Sequence, residues 1–222
     1  MQAGFVSQPV PGGSSSMHPA AEVYQELLAD IDHWFADASK RQPGVVPCRS
    51  GCSACCHGPF DISMADALLL REGVAALPAE TRREVRERSG ALLARMVALE
   101  PGWNPPFDPN ELGEARFDSL TERLAAEPCP LLDQEGRCVS YDCRPLVCRI
   151  IGMPMVTPEG DVLENDCPIR DQFPAYAALD PAVFDLEAWE AREQACLEAA
   201  ALELRGDIGA AGSETVIAAV GR

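Results

Sequence analysis

The stretch Cys48-Arg49-Ser50-Gly51-Cys52-Ser53-Ala54-Cys55-Cys56-His57-Gly58-Pro59 decides how this chain is read. It sets four thiols in the pattern C-x3-C-x2-C-C. Cysteines two or three residues apart on a tight turn aim two sulfurs at one metal. Gly51 and Gly58 allow the turning backbone that this requires. The adjacent pair Cys55 and Cys56 is less ordinary, because neighbouring side chains diverge. Either the two serve different metals or one of them bridges.

A second cysteine region lies downstream, over 129–167. It reads Cys129-Pro130-x-Leu132, then Gly136-Arg137-Cys138, then Tyr141-x2-Arg144-Pro145-x2-Cys148-Arg149, and closes with Cys167-Pro168. The candidate metal ligands are therefore Cys48, Cys52, Cys55, Cys56, Cys129, Cys138, Cys148 and Cys167. Eight thiolates give two four-thiolate sites or one polynuclear cluster. Neither region supplies all eight, so the two are expected to meet in space.

Four thiolates around a divalent ion leave a site at −2, which asks for nearby cations. Arg49, Arg137, Arg144 and Arg149 each sit beside a cysteine and are candidates for donating to sulfur around the site. Arg144 and Arg149 are the favoured pair, with Tyr141 beside them. Tyr141 either ligates or gates iron, or packs with its hydroxyl on the backbone. His57 is a nitrogen ligand or a hydrogen-bonding turn residue. Cys143 is a spare thiol near the cluster. Cys196 follows Trp189 by seven residues on an apolar face and reads as a core residue.

These fixed positions resemble the YkgJ-type cysteine-cluster family, whose domains are zinc- or iron-chelating and related to a domain of flagellin lysine N-methylase. The resemblance covers about 48–168. It rests on the eight cysteines together with Pro130, Leu132, Tyr141, Arg144, Pro145 and Arg149. It implies metal binding and does not imply a substrate.

The surrounding chain agrees with a reduced, metal-binding protein. There are 222 residues, with ten cysteines and a formal charge of −17. A net acidic surface argues against nucleic acid and against anionic lipid as partners. Residues 1–19 show no signal-peptide pattern and no stretch is long and apolar enough to span a membrane. The expectation is a cytoplasmic protein with reduced thiols. A disulfide framework would need an export signal.

Periodicity fills in the fold. Residues 1–18 read as a disordered tail rich in Pro, Gly and Ser, with Met17 a candidate start. Val23, Leu27, Ile31 and Ala38 predict an amphipathic helix over 19–40. Ser63 caps a short helix over 64–76, with Asp66 in its first turn. Val85, Leu92, Met96 and Leu99 stripe a helix that restarts after Pro78, its arginines and glutamates forming a solvated outer face. A shorter helix is predicted over 114–126 and a last one over 182–205, stopped by Gly206. Turns at 133–136 and 158–161 predict two small hairpins, with one helical turn over 145–151. The expected class is mainly α with small β-hairpins, an irregular cysteine-rich region packed on a helical bundle. One domain spans 19–205, and 206–222 is expected to be a loose tail.

Three functions suit this reading. The first is a metal-binding module that holds zinc, iron or an iron–sulfur cluster. The second is an iron or iron–sulfur enzyme of redox or group-transfer chemistry. The third is a structural zinc module that binds other proteins through its helices. The chain carries no glycine-rich nucleotide loop for the enzyme reading. Cys48-x3-Cys52-x2-Cys55 also matches the radical S-adenosylmethionine spacing, but no βα alternation accompanies it and Ala54 stands where an aromatic residue is usual before the third cysteine.

Overall fold

A computed structural model describes residues 17–222 apart from Gln42, Pro47, Arg49, Ser50 and Glu164. The expected 1–18 tail thus falls largely outside the described residues, as does Arg49. The chain is mainly α-helical with a few short strands.

Helix α1 (Pro19–Arg41) buries Tyr24, Leu27, Leu28 and Ile31 along one face. Strand β1 (Asp61–Ser63) leads into α2 (Met64–Ala75). Ser63 caps α2 as its sequence predicts, its side chain accepting the Asp66 N–H at 3.1 Å. Helix α2 is buried on nearly every side, Leu68, Leu69 and Leu70 included. A helix apolar all round belongs at the centre of a fold, and α2 packs on α1 and on α7 (Leu186–Arg205). Trp189, Cys196 and Ala200 of α7 join Leu28 and Leu68 in this first core. Gly206 ends α7 in the left-handed conformation, as expected.

Helix α3 (Ala79–Leu99) contributes Leu92, Leu93 and Met96 to a second core. Trp103, Phe107 and, from helix α5 (Glu114–Arg123), Phe117 and Leu120 complete it. The short helix α4 (Pro109–Leu112) precedes α5. Helix α6 (Leu146–Ile150) is the expected single turn in the second cysteine region. Of the two hairpins predicted there, one forms fully: β2 (Met155–Val156) pairs antiparallel with β3 (Val162–Leu163). The other reduces to one bridge between Leu132 and Cys138. Strand β4 (Ala182–Val183) pairs in parallel with β2. It takes the first residues predicted for the last helix, which begins at Leu186 after the Asp185 side chain accepts the Ala188 N–H.

The C-terminal residues correct the sequence reading. Where a loose tail is expected, β5 (Glu214–Val216) pairs antiparallel with β1 and runs into α8 (Ile217–Val220). Val216, Ile217 and Ala218 are buried and bridge the second core to the one around α2. The segment is too short to show a period, and its partner strand lies about 150 residues away in sequence. Strands therefore also occur outside the second cysteine region.

Candidate metal centre

The two cysteine regions meet through their backbones. The Cys129 N–H donates to the Cys56 carbonyl at 2.8 Å, and the Gly58 N–H donates to the Glu127 carbonyl at 2.6 Å. His57 and Pro128 form an isolated antiparallel bridge between these two bonds. Gly58 takes φ 83, and a Cβ there would lie 3.6 Å from the Ala125 backbone. Glycine suits that crossing on both counts.

Around this splice the local turns aim the thiols. The Cys56 N–H bonds back to the Ser53 carbonyl at 2.9 Å, curling the C-x2-C-C run. After Cys129, the Leu132 N–H returns to its carbonyl and Val139 pairs with Leu131. The intervening turn is locked by Asp133, whose carboxylate accepts the Glu135 and Arg137 N–H groups and the Arg137 guanidinium. Cys56, Cys129 and Cys138 consequently pack into one cluster with Leu131 and Leu132.

A second convergence involves Cys48 and Cys167. Gly152, at φ 88, stands beside both: a Cβ there would lie 3.5 Å from Cys48 Sγ and 3.6 Å from Cys167 Cβ. The Tyr176 hydroxyl accepts the Cys167 N–H at 3.0 Å and donates to the Gly152 carbonyl at 3.1 Å. Asn165 adds donors to the Ile150 and Met153 carbonyls. These bonds hold 165–167 against the turn that follows Cys148.

Charge ties the two convergences together. Although Cys48 reaches the surface, partial desolvation of its sulfur first, then Cys55, Cys167 and Cys52, push its thiol up to about 11. Burial pushes Cys129 up to about 12, with Cys138 and Cys55 adding to it and Arg88 opposing. Cys148 is raised well above the ordinary thiol range by burial and then by Cys129, Asp66, Cys138 and Cys55. Cys167 is raised by burial and by Cys52 and Cys55. Cys55 thus stands within electrostatic reach of members of both groups. Its own thiol is raised by its contact with the Cys56 sulfur and then by burial.

As the side chains stand, no three His, Cys, Asp or Glu groups among the described residues are drawn tightly enough together to hold one ion. The eight candidate thiols are free of disulfides, and mutual charge links Cys48, Cys52, Cys55, Cys129, Cys138, Cys148 and Cys167. An all-sulfur donor set suits zinc and iron alike. A cleft of about 550 Å³ lies elsewhere and is lined by Arg71, Phe107, Leu204 and Arg205 without a cysteine.

The arginines are placed differently from their sequence reading, though close by. Arg149 is buried, and its guanidinium donates to Asp32 at 2.5 Å and to the Arg144 and Asp142 carbonyls. Arg144 donates to the other Asp32 oxygen at 2.6 Å and to the Tyr141 carbonyl. Its guanidinium carbon lies 4.1 Å from the Tyr141 ring centroid, with Tyr141 exposed. Their hydrogen bonds fasten the 141–149 loop to α1. On sulfur they act through charge alone, Arg144 on Cys138 and Arg149 on Cys143. Arg137 faces Asp133 and Glu135. His57 is exposed, Cys196 is in the first core as expected, and Cys143 sits against Gly73. Asp32 is the residue sequence reasoning missed. An aspartate on the polar side of an amphipathic helix carries no mark of the two arginines it receives.

With this geometry in hand, a family model decides the relationship: CxxCxxCC, described as a putative zinc- or iron-chelating domain, matches residues 47–197. The chain belongs to the CxxCxxCC family. The match contains all eight candidate ligands, the Arg144–Arg149 clamp and most of α7. Among curated proteins and among solved structures, none matches the chain. No helix among the described residues is long and apolar enough to cross a membrane.

Proposed function

We propose that this CxxCxxCC domain is a metal-binding module with two neighbouring four-thiolate sites. Cys48, Cys52, Cys55 and Cys167 form one, and Cys56, Cys129, Cys138 and Cys148 form the other. The single observation that carries the reading is the Cys56–Cys129 backbone bond, which puts one cysteine region on the other. The contact of Gly152 with both Cys48 and Cys167 supports the division of ligands. The Cys55 and Cys56 sulfurs touch each other, Cys56 packs beside Cys129 and Cys138, and Cys55 acts by charge on Cys48 and Cys167, which makes Cys55 the thiol best placed to serve both. Zinc or iron held there would supply folding free energy to a region of short turns, as in other small metallo-domains. Arg88 and Arg144 temper the negative charge that thiolates leave. Stored or delivered metal in a cytoplasmic setting fits this chemistry, and no catalytic step is needed to account for it.

The test is metal stoichiometry in the full chain and three variants. Two equivalents are expected in the parent. Cys167→Ser and Cys148→Ser should each lose about one equivalent, and Cys55→Ser should weaken both. Retention of the parent stoichiometry in both Cys167→Ser and Cys148→Ser would contradict the assignment.

A further inference from the structure

Between α1, α2 and α7, three buried polar side chains meet that no metal role uses. The Tyr24 hydroxyl lies 3.0 Å from Asp66 Oδ1 and 2.9 Å from Glu193 Oε1. Tyr24, Asp66 and Glu193 are 0%, 4% and 7% exposed. A phenol has one proton to donate. With both carboxyls ionised, one of the two contacts would set lone pairs against each other in the core, beside two negative charges. That arrangement is costly where water is excluded. One carboxyl therefore holds a proton and gives it to the Tyr24 oxygen, which donates its own proton onward.

The donors around each carboxyl decide which one. Asp66 accepts the Leu146 N–H at 2.9 Å on Oδ1 and the Ser63 hydroxyl at 3.2 Å on Oδ2. The Ser63 backbone N–H adds a further bond. Among the described residues, the one donor to Glu193 besides its Tyr24 contact is the Trp189 indole N–H, at 3.0 Å on Oε2. Donors favour the ionised form, so Asp66 is the carboxylate. We infer that Glu193 is the proton-bearing carboxyl of a relay, Glu193 to Tyr24 to Asp66, whose far end holds the Leu146 N–H and so positions the helix that carries Cys148. Only that last link rests on the metal reading.

The groups that face this relay are Tyr24 from α1, Asp66 from α2, Glu190, Glu193 and Cys196 from α7, and Cys148 and Arg149 from α6. Burial raises both carboxyls: at Asp66 the Leu146, Tyr24 and Ser63 donors oppose it, whereas at Glu193 the charges of Asp66 and Glu190 add to it, with the Tyr24 and Trp189 donors opposing. A carboxyl raised in the folded state gives stability that is complete below its unfolded value. That stability is lost as pH rises through the folded value. Glutamine reproduces the neutral form, since its amide N–H can donate to the Tyr24 oxygen while its carbonyl accepts from Trp189.

Outside the relay a further carboxyl, Glu214, is pushed up to about 7 by burial and by Asp61 and Asp108. The comparison is therefore made in a Glu214→Gln background. Thermal unfolding of the metal-free full chain is followed from pH 5 to about pH 7.5, below the range in which the thiols ionise in the unfolded chain, with and without Glu193→Gln. The parent background should lose stability as pH rises, and Glu193→Gln should abolish most of that slope. Tyr24→Phe, which removes the mediator and leaves the carboxyls facing, should steepen it. Parallel curves for the parent background and Glu193→Gln would overturn the proton assignment, as would a carboxyl ¹³C signal showing Glu193 ionised at pH 6. For the positioning link the probe is zinc. Asp66→Asn should lower zinc affinity about tenfold, as loss of a supporting partner does at other metal sites. Glu193→Gln should leave it nearly unchanged. Unchanged affinity in a folded Asp66→Asn chain would overturn the link. Failure of the parent to bind zinc or iron at all would instead sink the chelating reading, and the metal-free titration would still decide the proton.

Discussion

The Cys129 N–H donates to the Cys56 carbonyl at 2.8 Å, so two cysteine regions more than seventy residues apart in sequence share one backbone junction. The junction contains neither a long strand nor a helix. Isolated pairings of this length are marginal in water. If thiolate–metal bonds hold it, stripping the metal should open both regions together. Hydrogen exchange with and without chelator should show the Gly58 and Cys129 amides losing protection in concert, while α2 and α3 keep theirs. Unchanged protection at both amides would mean that packing alone holds the junction.

The Asp32 clamp predicts a cost at a residue outside the two cysteine regions. Asp32 receives Arg144 and the buried Arg149. Asp32→Ala leaves the Arg149 guanidinium without its carboxylate, for about 1–3 kcal/mol of stability, the usual cost of orphaning a buried polar group. Denaturant unfolding of the loaded protein measures it. Metal affinity should fall as well, because the clamp frames Cys148.

Raised thiols give the pH dependence of metal binding a sign. Cys48 and Cys129 are pushed up to about 11 and about 12 by desolvation and then by neighbouring cysteines. In the metal-free protein these groups are protonated at neutral pH, and each must lose a proton to ligate. Affinity should therefore weaken as pH falls. A four-thiolate site approaches about four protons released per metal when its ligands start protonated. Zinc competition titrations between pH 6 and pH 8.5 check this. An affinity independent of pH would rule out ligation by these thiols.

The C-terminal segment is a structural part of the domain. Ile217 is 2% exposed and sits beside α2 and α3. Ile217→Ala should cost about 2–5 kcal/mol, the range for emptying a buried aliphatic site. A change under about 0.5 kcal/mol by denaturant unfolding would restore the loose-tail expectation; exposed substitutions commonly fall in that range.

Much of this was legible in the sequence where the signal is local. Helix α1 shows its apolar stripe, Ser63 and Asp66 mark the start of α2, and Gly206 marks the end of α7. Each is a property of a few neighbouring residues. The β1–β5 pair was not legible, because Thr215-Val216 carries no pattern that names Asp61–Ser63 as its partner. The cysteine spacing suggests metal binding, whereas the division proposed for the cysteines draws on the crossing at Gly58 and on Gly152, which the sequence does not show. Arg144 and Arg149 were noticed for their cysteine neighbours, yet their hydrogen bonds go to an aspartate on α1. Asp66 was read as a favourable residue at a helix start, which it is, without its burial. Glu193 did carry a usable signal: it lies on the same stripe as Trp189, Cys196 and Ala200. A carboxylate on a buried stripe is the kind of exception worth following.

X-ray absorption at the zinc and iron edges of the anaerobically purified full chain tests the central claim most directly. The account predicts retained zinc or iron with a sulfur-dominated shell, at about 2.3 Å if the metal is zinc, and loss of that shell's amplitude in Cys148→Ser and Cys167→Ser. A shell of oxygen and nitrogen near 2.0 Å, or a purified protein that retains neither metal, would contradict it.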